Sequence, residues 1–159
     1  MGSGRLAIRL ATEADIEAAA DLALELARCL GNPAIPTAEE VRSNVRRTLA
    51  DPRETVYLAE LDGQVVGMCH ISLRQLISDR GPVALVDELV VAEAARGRGI
   101  GKALVAKARS FALAKGCLEL EVGTPVENTS ACAFYRAVGF DTEHVLFEME
   151  FEKGHDTPG

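Results

Sequence analysis

The chain has 159 residues, 48% of them hydrophobic, enough to fill one core, so a single domain over residues 5–152 is expected, with 1–4 and 153–159 as frayed ends. A net charge of −7 argues against general nucleic-acid binding. No apolar run of about 18 residues lacks a charge and no basic-then-apolar leader opens the chain, so a cytoplasmic protein without a membrane span is expected.

In chain order, residues 7–10 alternate as a short first strand, and Thr12 with Asp15 resembles a capping box opening a helix over 13–30, closed by Gly31. The loop from Asn32 to Pro36 is followed by Thr37 and Glu40, a second capping pair, and by a helix that stops before Asp51-Pro52. Residues 55–61 and 65–73 flank Asp62-Gly63-Gln64, a hairpin signal.

Residues 83–91 read as a nearly continuous apolar strand broken only by Asp87 and Glu88, which simple alternation sends to opposite faces. Apolar residues then recur at helical spacing from Ile100 to Ala112, with Gly116 as the stop. A strand at 118–122, a short helix at 130–138 closed by Gly139, and an alternating final strand at 145–151 complete the order. The expected class is α/β, a mixed sheet of six to seven strands flanked by about four helices in the order β-α-α-β-β-β-α-β-α-β.

Four cysteines stand 40, 48 and 15 residues apart with no Cys-x-x-Cys pair, which predicts reduced core thiols and no metal site. His70, His144 and His155 have no partner identifiable from spacing and are assigned packing or surface roles.

Chemistry concentrates in Arg96-Gly97-Arg98-Gly99-Ile100-Gly101, which follows a strand and opens a helix. Free N–H groups and the positive dipole end of a helix receive anions, and glycines let a phosphate approach the backbone. Between Ala94 and Leu118 lie six basic residues and no acidic one, leaving 11 basic against 24 acidic elsewhere; a solvated helix face is the plain alternative for that run. A Walker A loop fails because Arg96 and Ala103 occupy its required glycine and hydroxyl positions. A dinucleotide fingerprint starting at Gly97 fails because its third glycine falls on Lys102.

The remaining pattern, Arg-x-x-Gly-x-Gly, resembles the GNAT superfamily of acetyl-coenzyme A dependent N-acetyltransferases. The resemblance includes the Asp87-Glu88-Leu89-Val90-Val91 strand and the later Asn128, Ala131, Phe134-Tyr135 and Gly139-Phe140, and covers nearly the whole chain. It implies that N–H groups from Arg98 to Gly101, with Arg96, Gly97 and Lys102 as neighbours, bind the cofactor's pyrophosphate. It also implies that pantetheine lies along Leu89, Val90 and Val91, where two strands splay at a bulge, with Asn128, Ala131, Phe134 and Tyr135 completing the cofactor site. Glu93 departs from the proline common in this turn among relatives.

By the same resemblance, Glu88 is the candidate general base and Tyr135 the general acid for the departing thiolate, with a backbone N–H near Val90 or Val91 stabilising the oxyanion. The acceptor is a primary amine of a small molecule or peptide, attacking in a ternary complex, and family habit implies a homodimer. A domain that binds acyl-coenzyme A without transfer, as a sensor or interaction module, is the alternative.

Overall fold

The computed structural model describes residues 4–151, so His155 and the two expected frayed ends lie largely outside it. The chain forms two compact units that meet between Val122 and Gly123. The first carries β1 (Leu6–Leu10), α1 (Ile16–Cys29), α2 (Ala38–Ala50), β2 (Glu54–Leu61), β3 (Gln64–Arg74), β4 (Val83–Val91), α3 (Ile100–Ala114) and β5 (Glu119–Val122). The second carries α4 (Thr129–Ala137).

Local chemistry explains most boundaries. The Asp15 carboxylate accepts from the Thr12 N–H at 2.8 Å and from both ends of the Arg9 guanidinium at 2.9 Å, fixing the approach to α1. Thr37 and Glu40 exchange side-chain bonds with each other's N–H groups at the start of α2. Asp62 and Gly63 both adopt positive φ, 52° and 82°, the geometry of a tight turn that matches the twist of the β2–β3 hairpin.

The sheet order is β1-β2-β3-β4-β5, antiparallel except for the parallel β4–β5 pair that α3 connects. Alternation along the strands divides the core. Val56, Leu58, Met68 and Val90 pack with Ala19 and Leu22 of α1, while Tyr57, Ala59, Cys69, Ile71, Ala84 and Val86 pack with Ile100, Leu104 and Ala108 of α3. Among the described residues no helix is long and apolar enough to cross a membrane.

Two expectations are corrected. The sheet has five strands among the described residues rather than six to seven, because residues 145–151 form no ladder despite their alternation. Alternation marks a two-faced segment, but a strand exists only where its N–H and C=O groups meet another backbone, and that pairing is not local. The cysteines are not all core thiols: Cys69 is buried, Cys117 and Cys132 are half-buried, and Cys29 is exposed at the last residue of α1. Burial pushes the Cys69 thiol up to about 12, with the Asp87 charge adding to the effect, so it stays protonated and inert.

Candidate active site

The pairing of β4 changes character at Asp87. Val86 stands opposite Ile71 and Glu88 opposite His70, so Asp87 is an extra residue, a β-bulge. On the other edge, β4 pairs with β5 only from Val83 to Val86. Beyond the bulge, Leu89, Val90 and Val91 keep β3 on one side and have no ladder partner in β5 on the other. The bulge lies in the strand where one was expected, and the pairing with β5 ends where β5 itself ends, at Val122.

The bulge gathers titratable groups. His70 Nε2 lies 2.7 Å from Glu54 Oε2, and its Nδ1 lies 3.4 Å from Glu88 Oε2. The Asp87 carboxylate joins them: donor atoms of Glu54, His70 and Asp87 all lie within 4.8 Å of one another. Asp87 and Glu88 therefore serve one cluster instead of parting to opposite faces, because an inserted residue breaks simple alternation. Burial depresses the His70 pKa, but the bonds to Glu88 and Glu54 and the charge of Asp87 outweigh it, and the net direction is upward. The same three donors could hold a cation, yet both imidazole nitrogens already face carboxylates.

After β4 the chain makes a single 3-10 turn, Glu93–Ala95, and then runs through Gly97 (φ 74°) and Gly99 (φ 77°) into α3. Gly99 is the N-cap in left-handed conformation, and its carbonyl accepts the Ala103 N–H at 3.1 Å. The N–H groups of Ile100, Gly101 and Lys102 precede any intrahelical acceptor, and the first turn has no acidic residue. Gly97, Arg98, Gly99 and Lys102 are exposed, and nothing lies within 4 Å of a Cβ built on either glycine. This is an open, donor-rich cradle for an anion.

Arg96 points elsewhere. Its Nε donates to the Val91 carbonyl at 3.0 Å, and its Nη2 lies 3.3 Å from Glu25 Oε1 on α1. The same Glu25 oxygen accepts the Glu93 N–H at 2.9 Å. A proline at 93 would have no N–H to give, so the departure noted in the sequence creates a tie between the loop and α1.

In the second unit, Asn128 caps α4, its Oδ1 accepting the Ala131 N–H at 3.2 Å and the Ser130 hydroxyl at 3.2 Å. Tyr135 stacks edge-on against Phe134 and Phe140, with centroids at 5.3 and 5.6 Å. Gly139, at φ 111°, lets the chain turn so that the Phe140 N–H reaches the Tyr135 carbonyl. Of the sequence-derived candidates, Glu88, Leu89, Val90, Val91 and Arg96 to Lys102 share the first unit, and Asn128, Ala131, Phe134 and Tyr135 share the second. Glu54 and His70 were not legible as site residues, since only cross-strand register brings residues 16 and 18 positions apart into contact with a common partner.

The sequence profile of the acetyltransferase (GNAT) family matches residues 18–140. An aminoglycoside N(6')-acetyltransferase type 1 of Stenotrophomonas maltophilia is 34% identical over 151 residues, covering 91% of this chain and 94% of that protein. The aminoglycoside N-acetyltransferase AAC(6')-Iy in complex with CoA superposes with a TM-score of 0.80 at 25% identity, over 94% of this chain and 97% of that one. The same enzyme bound to the bisubstrate analogue CoA-S-monomethyl-acetylneamine gives a TM-score of 0.79 at 25% identity, over 92% and 99% of the two chains.

Proposed function

Because the chain belongs to the acetyltransferase (GNAT) family, we propose that it transfers the acetyl group of acetyl-coenzyme A directly to a primary amine of a cationic small molecule of the aminoglycoside kind. The observation that carries this reading is the open stretch of β4, Leu89–Val91, with a carboxylate cluster at one end and the glycine cradle of α3 at the other.

The residues present fit the cofactor. Backbone N–H groups from Arg98 through Lys102 are oriented for a pyrophosphate, and Arg98 and Lys102 add positive charge. Leu89, Val90 and Val91 have no ladder partner in β5 and offer that edge to the amide groups of pantetheine, in the manner of an added strand, with the Val91 carbonyl held by Arg96. Asn128, Ala131 and Phe134 are read as the contacts of the second unit. Arg96 acts through the loop, holding its shape by way of Val91 and Glu25 rather than meeting phosphate. When bound, acetyl-coenzyme A supplies a thioester carbonyl as electrophile.

An ammonium group must lose a proton before it can attack. Glu88 takes that proton: the N–H bond breaks, an O–H bond forms on the carboxylate, and the nitrogen keeps its electron pair as nucleophile. A backbone N–H near Val90 or Val91 stabilises the oxyanion, a contribution made mainly in the transition state. Tyr135, a phenol of ordinary pKa about 10, gives its proton to the thiolate as the carbon–sulfur bond breaks, and the second proton, still on the newly acylated nitrogen, passes to solvent, which reprotonates the phenolate. Three carboxylates around the bulge favour an acceptor rich in ammonium groups.

Thiol release at saturating acetyl-coenzyme A, measured with neamine, a polyamine, free amino acids and a peptide, tests the reading. Preference for neamine is the expected result. Preference for the peptide overturns the substrate class, and cofactor binding with no turnover of any amine points instead to a sensor or interaction module.

A further inference from the structure

His70 is the one residue at the bulge that neither the cofactor nor the acceptor reading uses, and its surroundings are specific. It stands directly across from Glu88 on β4 and from Val56 on β2, on the face that α1 covers. Glu54 bonds its Nε2 at a charge-assisted length of 2.7 Å, and Glu88 faces its Nδ1 at 3.4 Å. The charged groups around it are Glu54 from β2, with Arg53 beside that carboxylate, and Asp87 and Glu88 from β4. The helices present apolar side chains to this face, Ala19 and Leu22 from α1 and Val45 and Leu49 from α2.

We propose that His70, clamped by Glu54, is the positioning residue for Glu88, fixing that carboxylate at the bulge where it meets the acceptor's ammonium group. Three carboxylates crowd one small region around a single ring. Bonded to Glu54 on one side and facing Glu88 on the other, that ring ties the two side chains together. It also limits the rotamers open to a side chain that is 43% exposed and would otherwise swing. Glu54 plays the orienting part, holding the ring by one nitrogen so that the other faces the carboxylate, as the third member of a catalytic triad orients its histidine. The bulge is what makes this possible, since it brings Asp87 and Glu88 to the same ring.

The inference rests on Glu88 being the proton acceptor, and two measurements separate the ideas. The first is an NMR titration of the His70 imidazole in the full chain, in wild type, Glu54→Gln and Glu88→Gln. The midpoint is expected above the ordinary value of about 6.5 in wild type and lower in both variants; a midpoint unmoved in Glu88→Gln overturns the coupling. The second is the split between kcat and KM with neamine for His70→Gln, with Glu54→Gln as the milder change that leaves the ring in place. The kcat is expected to fall by about tenfold or more in His70→Gln and by less in Glu54→Gln, with KM for acetyl-coenzyme A unchanged, and His70→Gln is expected to cost little further in a Glu88→Gln background. An equal loss in that background reduces His70 to a packing residue. A wild-type kcat in Glu88→Gln removes Glu88 as the base, and with it the catalytic part of the inference, even where the titration shows the two side chains coupled.

Discussion

Val86 and Val90 lie on the same strand yet pack into opposite clusters, Val86 with Ile100 and Leu104 of α3 and Val90 with Ala19 and Leu22 of α1. Residues an even number of places apart on a regular strand share a face, so the side-chain order inverts between them. Asp87 is the extra residue responsible. The inversion turns Glu88 toward His70, and parallel pairing with β5 stops at the residue before the bulge. One inserted residue thus inverts the faces of β4 and assembles the carboxylate cluster.

Gly67 lets α3 approach the sheet. A Cβ there would meet Ile100 Cγ2, Leu104 Cδ1 and the Val90 carbonyl, each at 3.2 Å. Two of those are core atoms at the start of α3 and the third is β4 backbone, so none yields freely. Gly67→Ala is expected to destabilise the fold by roughly 1–3 kcal/mol, read as a lowered midpoint in urea denaturation.

Gly99 adopts φ 77° as the N-cap of α3. An alanine would hold that conformation only at a cost of roughly 1–2 kcal/mol, or the cap would re-form with its N–H groups turned. Gly99→Ala is expected to weaken acetyl-coenzyme A binding in calorimetry more than it lowers the unfolding midpoint. Unchanged binding would count against the cradle.

Stability should fall at both ends of the pH range. The Arg9 guanidinium holds the Asp15 carboxyl well below the usual carboxylate range, against the opposing effect of burial. Its contribution is present above the ordinary value of about 3.9 and is lost as pH falls through the folded value. His70 has the opposite sign: its raised pKa contributes fully below about 6.5 and is lost as pH rises through the folded value. Denaturation from about pH 3 to about pH 9 should show Asp15→Asn flattening the acid side and His70→Gln the fall that begins above about pH 6.5.

Tyr135→Phe removes the phenol while leaving a ring to pack against Phe134 and Phe140. Loss of a general acid lowers kcat by about 100-fold or more, with acetyl-coenzyme A affinity nearly unchanged. A kcat within a few-fold of wild type would show that the thiolate leaves without help from this side chain.

Much of the fold was legible because its signals are local. The capping pairs Thr12–Asp15 and Thr37–Glu40, the Asp62-Gly63 turn and the 83–91 strand all appear where the residues predicted them. Each depends on dihedral preference, side-chain reach or alternation within a few residues. The 145–151 segment shows the limit, since its pattern is that of a strand and its backbone forms no ladder among the described residues.

The amino-acid sequence by itself determined the family and the glycine-rich turn that opens α3, because glycine positions, helix N-terminus and charge distribution are properties of consecutive residues. Only the tertiary structure decided that Arg96 turns back to Glu25, that Asp87 is the inserted residue, and that Glu54, His70 and Glu88 form one cluster. Those facts depend on strand register and on helix packing against the sheet. A one-residue shift in register exchanges the faces of a strand, and no local pattern around His70 or Glu54 specifies which residue will stand across from it.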